Sequence, residues 1–300
     1  MSTDPSRGLL SATLGAVLAN PALNVLRIAA MAAGPDGEVD PETVEMMRAQ
    51  VAAGALATLA PAAAWPELER GLLAAAPSRM LRALRDCGAL AVLLPEVDAL
   101  FGVPQSADDP AEVDIGDHIL RVVDEAARCN APLAVRFAAL VFNVGKADSP
   151  REHLPAHYKH VERGCPRIEA ICARFGVAAE FLDLALLAIA ECERVHRAAE
   201  MRAGSIAAML ERVDAFDRPA RFEQLLTLCT CDFRAFPGRA SLVYPKAPML
   251  RVALRACLAV DEGELADEHE DEAEFAAALL EARALAVAAA LRSERWADAA

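Results

Sequence analysis

The sequence predicts an all-α protein, and three observations carry that prediction. Apolar residues recur at helical spacing in nearly every segment. Alanine is abundant while aromatic residues make up only 5% of the 300-residue chain, a mixture that lets helices approach closely. No stretch alternates Val, Ile or Thr with polar residues in the way a half-buried strand requires.

Taken in order, MSTDPSRGLLSATLGAVLAN (1–20) reads as a helix, because its apolar stretch lacks the basic flank of an export signal. PETVEMMRAQVAAGAL (41–56) begins after Asp40, a suitable N-cap, with Pro41 in the first turn. SRMLRALRDCGALAVLLP (78–95) places Met80, Leu81, Leu84 and Cys87 on one face and stops at Pro95. Helices over 116–129 and 133–146 form a pair, and further helices are expected over 166–177, 179–202, 204–216, 218–233 and 273–296. Their Pro, Gly and Asp content marks 34–41, 102–114, 146–160 and 237–248 as joints. Roughly a dozen helices and at most two short strands are expected. They fall into a neck-like region (1–75), a central helical domain (76–203) and a C-terminal body (204–300).

The charge balance excludes some functions. Hydrophobic residues form 55% of the chain and charged residues 25%, yet no uncharged apolar run is long enough to span a bilayer. The formal net charge is −14, and nine acids lie in DEGELADEHEDEAE (261–274); setting these aside leaves −5. That run reads as a solvated face that works against a nearby phosphate backbone. Eight cysteines are scattered with no CxxC, and Cys229-Thr-Cys231 has no second pair to complete a zinc site. Reduced, mostly buried thiols in a cytoplasmic protein are expected.

Several long motifs stand in one order: NVLRIAAMAAG (24–34), RALRDCGALAVLLPEVDALFGVPQ (82–105), DIGDHILRVVDEAA (114–127), VRFAALVFNVGK (135–146), FLDLALLAIAECERVH (181–196) and SIAAMLERVDAFDRPARFEQLLTLCTCDFRAFPG (205–238). In content and spacing this resembles the bacterial CCA-adding tRNA nucleotidyltransferases that carry an HD domain, over about residues 20–255. The resemblance implies that the sequence begins at the family's neck, without the α/β head that performs nucleotidyl transfer. The only Gly-Ser, Gly204-Ser205, opens a helix, and no paired carboxylates follow it for two-metal chemistry. The neck's acidic, nucleotide-selecting signature is missing from LANPALN (18–24), where Asn24 takes the place of an arginine.

The same resemblance puts the family's first metal-binding histidine on His118, and its adjacent His-Asp pair on Phe142 and Asn143. Phe has no donor atom, and Asn offers a neutral carbonyl where a carboxylate would bridge ions. Of the following histidine pairs, His157 stays while Tyr158 replaces its neighbour, and His196 stays while Cys192 replaces the other. His118, His157, His160 and His196 are thus the residual metal candidates; the plainer reading of each is a hydrogen-bonded structural residue. Lys146 reads as a helix-end cation or a phosphate contact, and Arg82 and Arg85 as RNA contacts or intramolecular ion pairs. Trp65, with Glu67 and Glu69, matches the family's WxExE pattern and is expected to pack helices.

The resulting expectation is a degenerate relative of the CCA-adding enzyme, without catalysis of its own, that binds tRNA or a protein partner. No cofactor is expected, apart from a divalent metal should the residual histidines gather. Two enzyme readings stay open: a metal-dependent HD-type phosphohydrolase, and the RNA-binding part of a split nucleotidyltransferase. Metal analysis and co-purification with a head separate them.

Overall fold

The computed structural model describes residues 20–292 apart from 36 and 270; the helix expected over 1–20 and the end of the one expected over 273–296 lie outside the described residues. Among the described residues the chain forms fifteen α-helices and two three-residue strands. The first helices are α1 (Pro21–Ala32), α2 (Pro41–Ala52), α3 (Pro61–Leu73), α4 (Pro77–Asp86), α5 (Ala89–Leu93) and α6 (Pro95–Asp98). Strands β1 (Pro104–Ser106) and β2 (Glu112–Asp114) then pair antiparallel, Gln105 opposite Val113, within the expected joint. Beyond them come α7 (Ile115–Arg128), α8 (Leu133–Val141), α9 (His160–Phe175), α10 (Ala179–His196), α11 (Ala203–Arg212) and α12 (Pro219–Ala235). The last are α13 (Lys246–Leu258), α14 (Glu262–Glu268) and α15 (Glu272–Arg292). No described helix is long and apolar enough to cross a membrane.

The chain divides into two compact units: one through Leu186 with Ala235–Pro237, the other Leu187–Arg234 with the residues from Gly238 on. In the first unit α1 packs on α3 and α4, α7 on α8, and α3 on α8 and α9. Its core holds the face read from the sequence, since Met80, Leu81, Leu84 and Cys87 are all buried. Trp65 meets Phe137 edge-on at 5.6 Å and Phe181 at 6.5 Å, a helix-packing role. In the second unit α15 lies against α11 and α13.

Some boundaries differ from the sequence reading, for local reasons. The single helix expected over 78–95 breaks at Gly88, whose φ of +82° ends α4 in a left-handed turn. The helix expected from Pro166 begins at His160 instead, with Pro166 inside it. The helix expected through Lys146 ends at Val141, and Val144–Lys146 form a 3₁₀ turn. Helix α13 was not expected from the sequence, although its buried Met249, Leu250, Ala253, Leu254 and Cys257 stand at helical spacing.

Candidate functional site

Asp40 caps α2 as expected, accepting from the Thr43 amide at 2.9 Å and the Thr43 hydroxyl at 2.7 Å. Those bonds, the hydroxyl's first, hold its carboxyl below the usual aspartate range. The cap fixes the start of α2 beside a cleft of about 720 Å³ lined by Glu38, Val39, Val44, Arg79, Arg82 and Asp86, among others. Arg79 closes one wall by donating to the carbonyls of Gly34, Pro35 and Gly37 at 3.3, 3.2 and 2.9 Å. Arg82, one helical turn on, is exposed and has no ion pair or hydrogen bond among the described residues. Arg85 is differently employed, 3.8 Å from Asp98 and stacked 4.0 Å over Phe101. Lys146 donates to Gln105 at 3.3 Å. Asn24, where the resemblance looks for arginine, is buried in α1.

The positions that the resemblance assigns to a metal centre are packed rather than open. His118 is fully buried in α7, its ring 4.3 Å from that of Phe236. Phe142 and Asn143, at the end of α8, are 5% and 2% exposed. His157 has both ring nitrogens engaged, Nδ1 with Ser149 Oγ at 2.8 Å and Nε2 with the Pro104 carbonyl at 3.0 Å. His160 Nδ1 reaches the His157 carbonyl at 3.0 Å. The Gly-Lys turn also has a packing explanation: a Cβ on Gly145 would sit 1.9 Å from the His160 carbonyl oxygen. The adjacent carbonyls are held by α9, with Arg163 donating to Gly145 at 3.1 Å and Arg167 to Val144 at 3.1 Å. This donor set does not fit a carboxylate-bridged metal, because a phenyl ring and a neutral amide stand where the family's ligands would be.

His196 stands in other company, in the second unit. Helix α10 presents Cys192 and His196 one turn apart, and α12 presents Cys229 and Asp232 three residues apart. Cys192 Sγ lies 3.4 Å from both His196 Nε2 and Cys229 Sγ. His196 Nε2 is 2.8 Å from Asp232 Oδ2, and the Tyr244 hydroxyl is 2.8 Å from its Nδ1. Among the described residues, Cys192, His196 and Cys229 are the one group of three such donors close enough to share an ion. Of the Cys229-Thr-Cys231 pair, only Cys229 belongs to this group. Cys229 finds its partners on α10, and only the two donor spacings hinted at it.

The electrostatics of this group are set by burial and by Asp232. Burial acts to lower the pKa of His196, while hydrogen bonds with Cys192 and Asp232 and the Asp232 charge act the other way and raise it above its ordinary value. The hydrogen bond with Cys229, then burial, push the Cys192 thiol well above its ordinary value. That sulfur is therefore neutral near pH 7, and the Asp232 charge is what holds the proton on His196. Six of the eight cysteines are buried, with Cys165 half-buried and Cys129 exposed.

Comparison with known proteins adds the relationships. The family described as "Probable RNA and SrmB- binding site of polymerase A" matches residues 38–101, the segment that contains α2 to α6 and most of the cleft lining. The Multifunctional CCA protein of Paraburkholderia phymatum is 45% identical over 271 residues, covering 90% of this chain and 65% of that relative. That of Dechloromonas aromatica is 45% identical over 270 residues, covering 88% and 66%. That of Cupriavidus necator is 46% identical over 245 residues, covering 81% and 60%. The chain thus spans somewhat under two thirds of the length of these relatives. An all-helical fold, a matching RNA-binding segment and this identity across most of its length make the chain a relative of the bacterial CCA-adding proteins.

Proposed function

We propose that this chain is a tRNA-binding body of the CCA-protein type whose HD-like centre performs no hydrolysis. The observation that carries the reading is the cleft beside α2 and α4: it lies largely within the matched segment and carries one exposed guanidinium, Arg82, with no partner among the described residues. An arginine in that state reaches a phosphate without first breaking an internal bond, whereas Arg79 and Arg85 have carbonyls or a carboxylate to leave. Glu38 and Asp86 share the cleft, so contact is confined to a narrow basic ridge and binding is weak. The packed state of His118, Phe142 and Asn143 supports the non-hydrolytic part.

Arg82→Ala tests the reading by electrophoretic shift with tRNA over a salt series. The expected result is weaker binding at low salt, with the slope of log K against log salt shallower by about 1. Unchanged affinity and slope would remove Arg82 from the interface. A parallel assay with a chromogenic phosphodiester and Mg²⁺, Mn²⁺ or Ni²⁺ is expected to show no turnover; hydrolysis abolished by His118→Ala would restore the phosphohydrolase reading. The 45% identity to proteins named for CCA activity favours a second reading, in which this body serves a nucleotidyltransferase head. Co-purification with nucleotidyl-transfer activity would support it.

A further inference from the structure

We propose that Cys192, His196 and Cys229 form a zinc site that ties α10 to α12 in the second unit, with Asp232 hydrogen-bonded to His196 beside it. Zinc is four-coordinate in such sites and bound by thiolate sulfur at about 2.3 Å and by imidazole nitrogen or carboxylate oxygen near 2.0–2.2 Å. Donors arranged tetrahedrally at those lengths lie roughly 3.3 to 3.8 Å from one another. The two Cys192 separations, 3.4 Å to His196 Nε2 and 3.4 Å to Cys229 Sγ, are already of that size. The His196–Asp232 separation of 2.8 Å is a hydrogen bond and Asp232 stands outside the three-donor group, so His196 Nε2 exchanges that bond for the ion and a water completes the four positions.

Two further features suit a resident ion. The outer nitrogen of His196 is held at 2.8 Å by the Tyr244 hydroxyl, so that Nε2 is the nitrogen turned toward the cysteines. Tyr244 is itself buried, with its ring 5.1 Å from that of Phe233. Access is restricted to the His196 side: Cys192 and Cys229 are 4% and 0% exposed, while the His196 side chain is 26% exposed. Two sulfurs and one imidazole favour Zn²⁺ over the harder Mg²⁺ or Mn²⁺. Binding releases a proton from each thiol and one from His196, leaving two thiolates and a neutral imidazole around the ion. The assignment is independent of tRNA binding and involves none of the positions expected from the HD resemblance other than Cys192 and His196.

The test uses the full chain, purified under reducing conditions without chelator. Elemental analysis is expected to give about one zinc per chain, and exchange with Co²⁺ to give intense thiolate-to-cobalt absorption in the near ultraviolet. Cys192→Ser and Cys229→Ser are expected to lose that absorption and most of the zinc, while Cys129→Ser keeps both. Tyr244→Phe is expected to weaken zinc binding about 10- to 100-fold, as loss of an outer-shell partner does. Circular dichroism identifies variants that fail to fold, and the cobalt spectrum of the unaltered protein decides the matter without them. Absence of thiolate-to-cobalt absorption overturns the proposal, as does zinc that persists in folded Cys229→Ser. Zinc bound without that absorption would place the ion elsewhere, and overturns it equally.

Discussion

Arg136 shows how far one residue can be committed to structure. It stands in the apolar run LAVRFAALV, is 6% exposed, and donates to the carbonyls of Ala131 at 2.8 Å, Leu72 at 2.8 Å and Ala74 at 3.0 Å. It thereby satisfies the C-terminal carbonyls of α3, which would otherwise be buried acceptors without donors. Arg136→Met keeps the volume but removes the donors, and is expected to cost about 3 to 4 kcal/mol. Arg136→Lys, with a single ammonium in place of a planar fork, should fall between. Urea unfolding checks both: the midpoint falls while the slope stays constant if the loss is purely one of stability. In the sequence this arginine reads only as an interruption of a helix face. The same blindness hid Cys229, Asp232 and Tyr244, whose role depends on which helix lies opposite. His196 was legible because the resemblance places it, with Cys192, on a histidine pair of the family; its partners across the unit were not.

At the scale of elements, local signals governed what could be read. Asp40 and Pro41 announced α2 because a cap acts within three residues, and the buried face of α4 followed from its spacing. Pro166 misled, because a proline inside a helix resembles a start signal when neighbouring helices compensate for the lost donor. Glycines at close approaches were equally opaque. Gly145 lets the turn after α8 touch α9, where an added methyl would lie 1.9 Å from the His160 carbonyl oxygen and 2.7 Å from the Gly164 nitrogen. Gly71 also lies against a neighbour, but the nearest atom is the Met80 sulfur at 2.0 Å, part of a flexible side chain. Gly145→Ala is therefore expected to destabilise by about 3 kcal/mol or more, since backbone must move. Gly71→Ala should lose less, because Met80 can take another rotamer and alanine favours the helix. Thermal melting of the two variants gives the order; a milder effect at Gly145 would mean that α8 and α9 are less closely apposed than described.

For the molecule as a whole, charge is the quantity that bears on an RNA partner. The described acids of 261–274 cap or fall on α14 and the start of α15, and they are exposed. Three of them have internal duties: Asp261 and Asp271 cap their helices and Glu262 pairs with Arg283. Of the other six, Glu264, Asp267, Glu268, Glu272 and Glu274 are described and contribute five of the fourteen net negative charges, with no ion pair among the described residues. Changing these five to their amides leaves both caps and the ion pair in place and takes the formal charge from −14 to −9. Attraction between a phosphate backbone and this protein is opposed by that field, so the amide variant should bind tRNA more tightly at low ionic strength. The gain should be several-fold near 10 mM salt, where the screening length is about 30 Å, and should vanish by about 1 M, where it is about 3 Å. Filter binding over a salt series reads both ends. A gain that persists at high salt would contradict the field argument. Equal affinity at every salt concentration would show that the acidic run lies several screening lengths from the RNA.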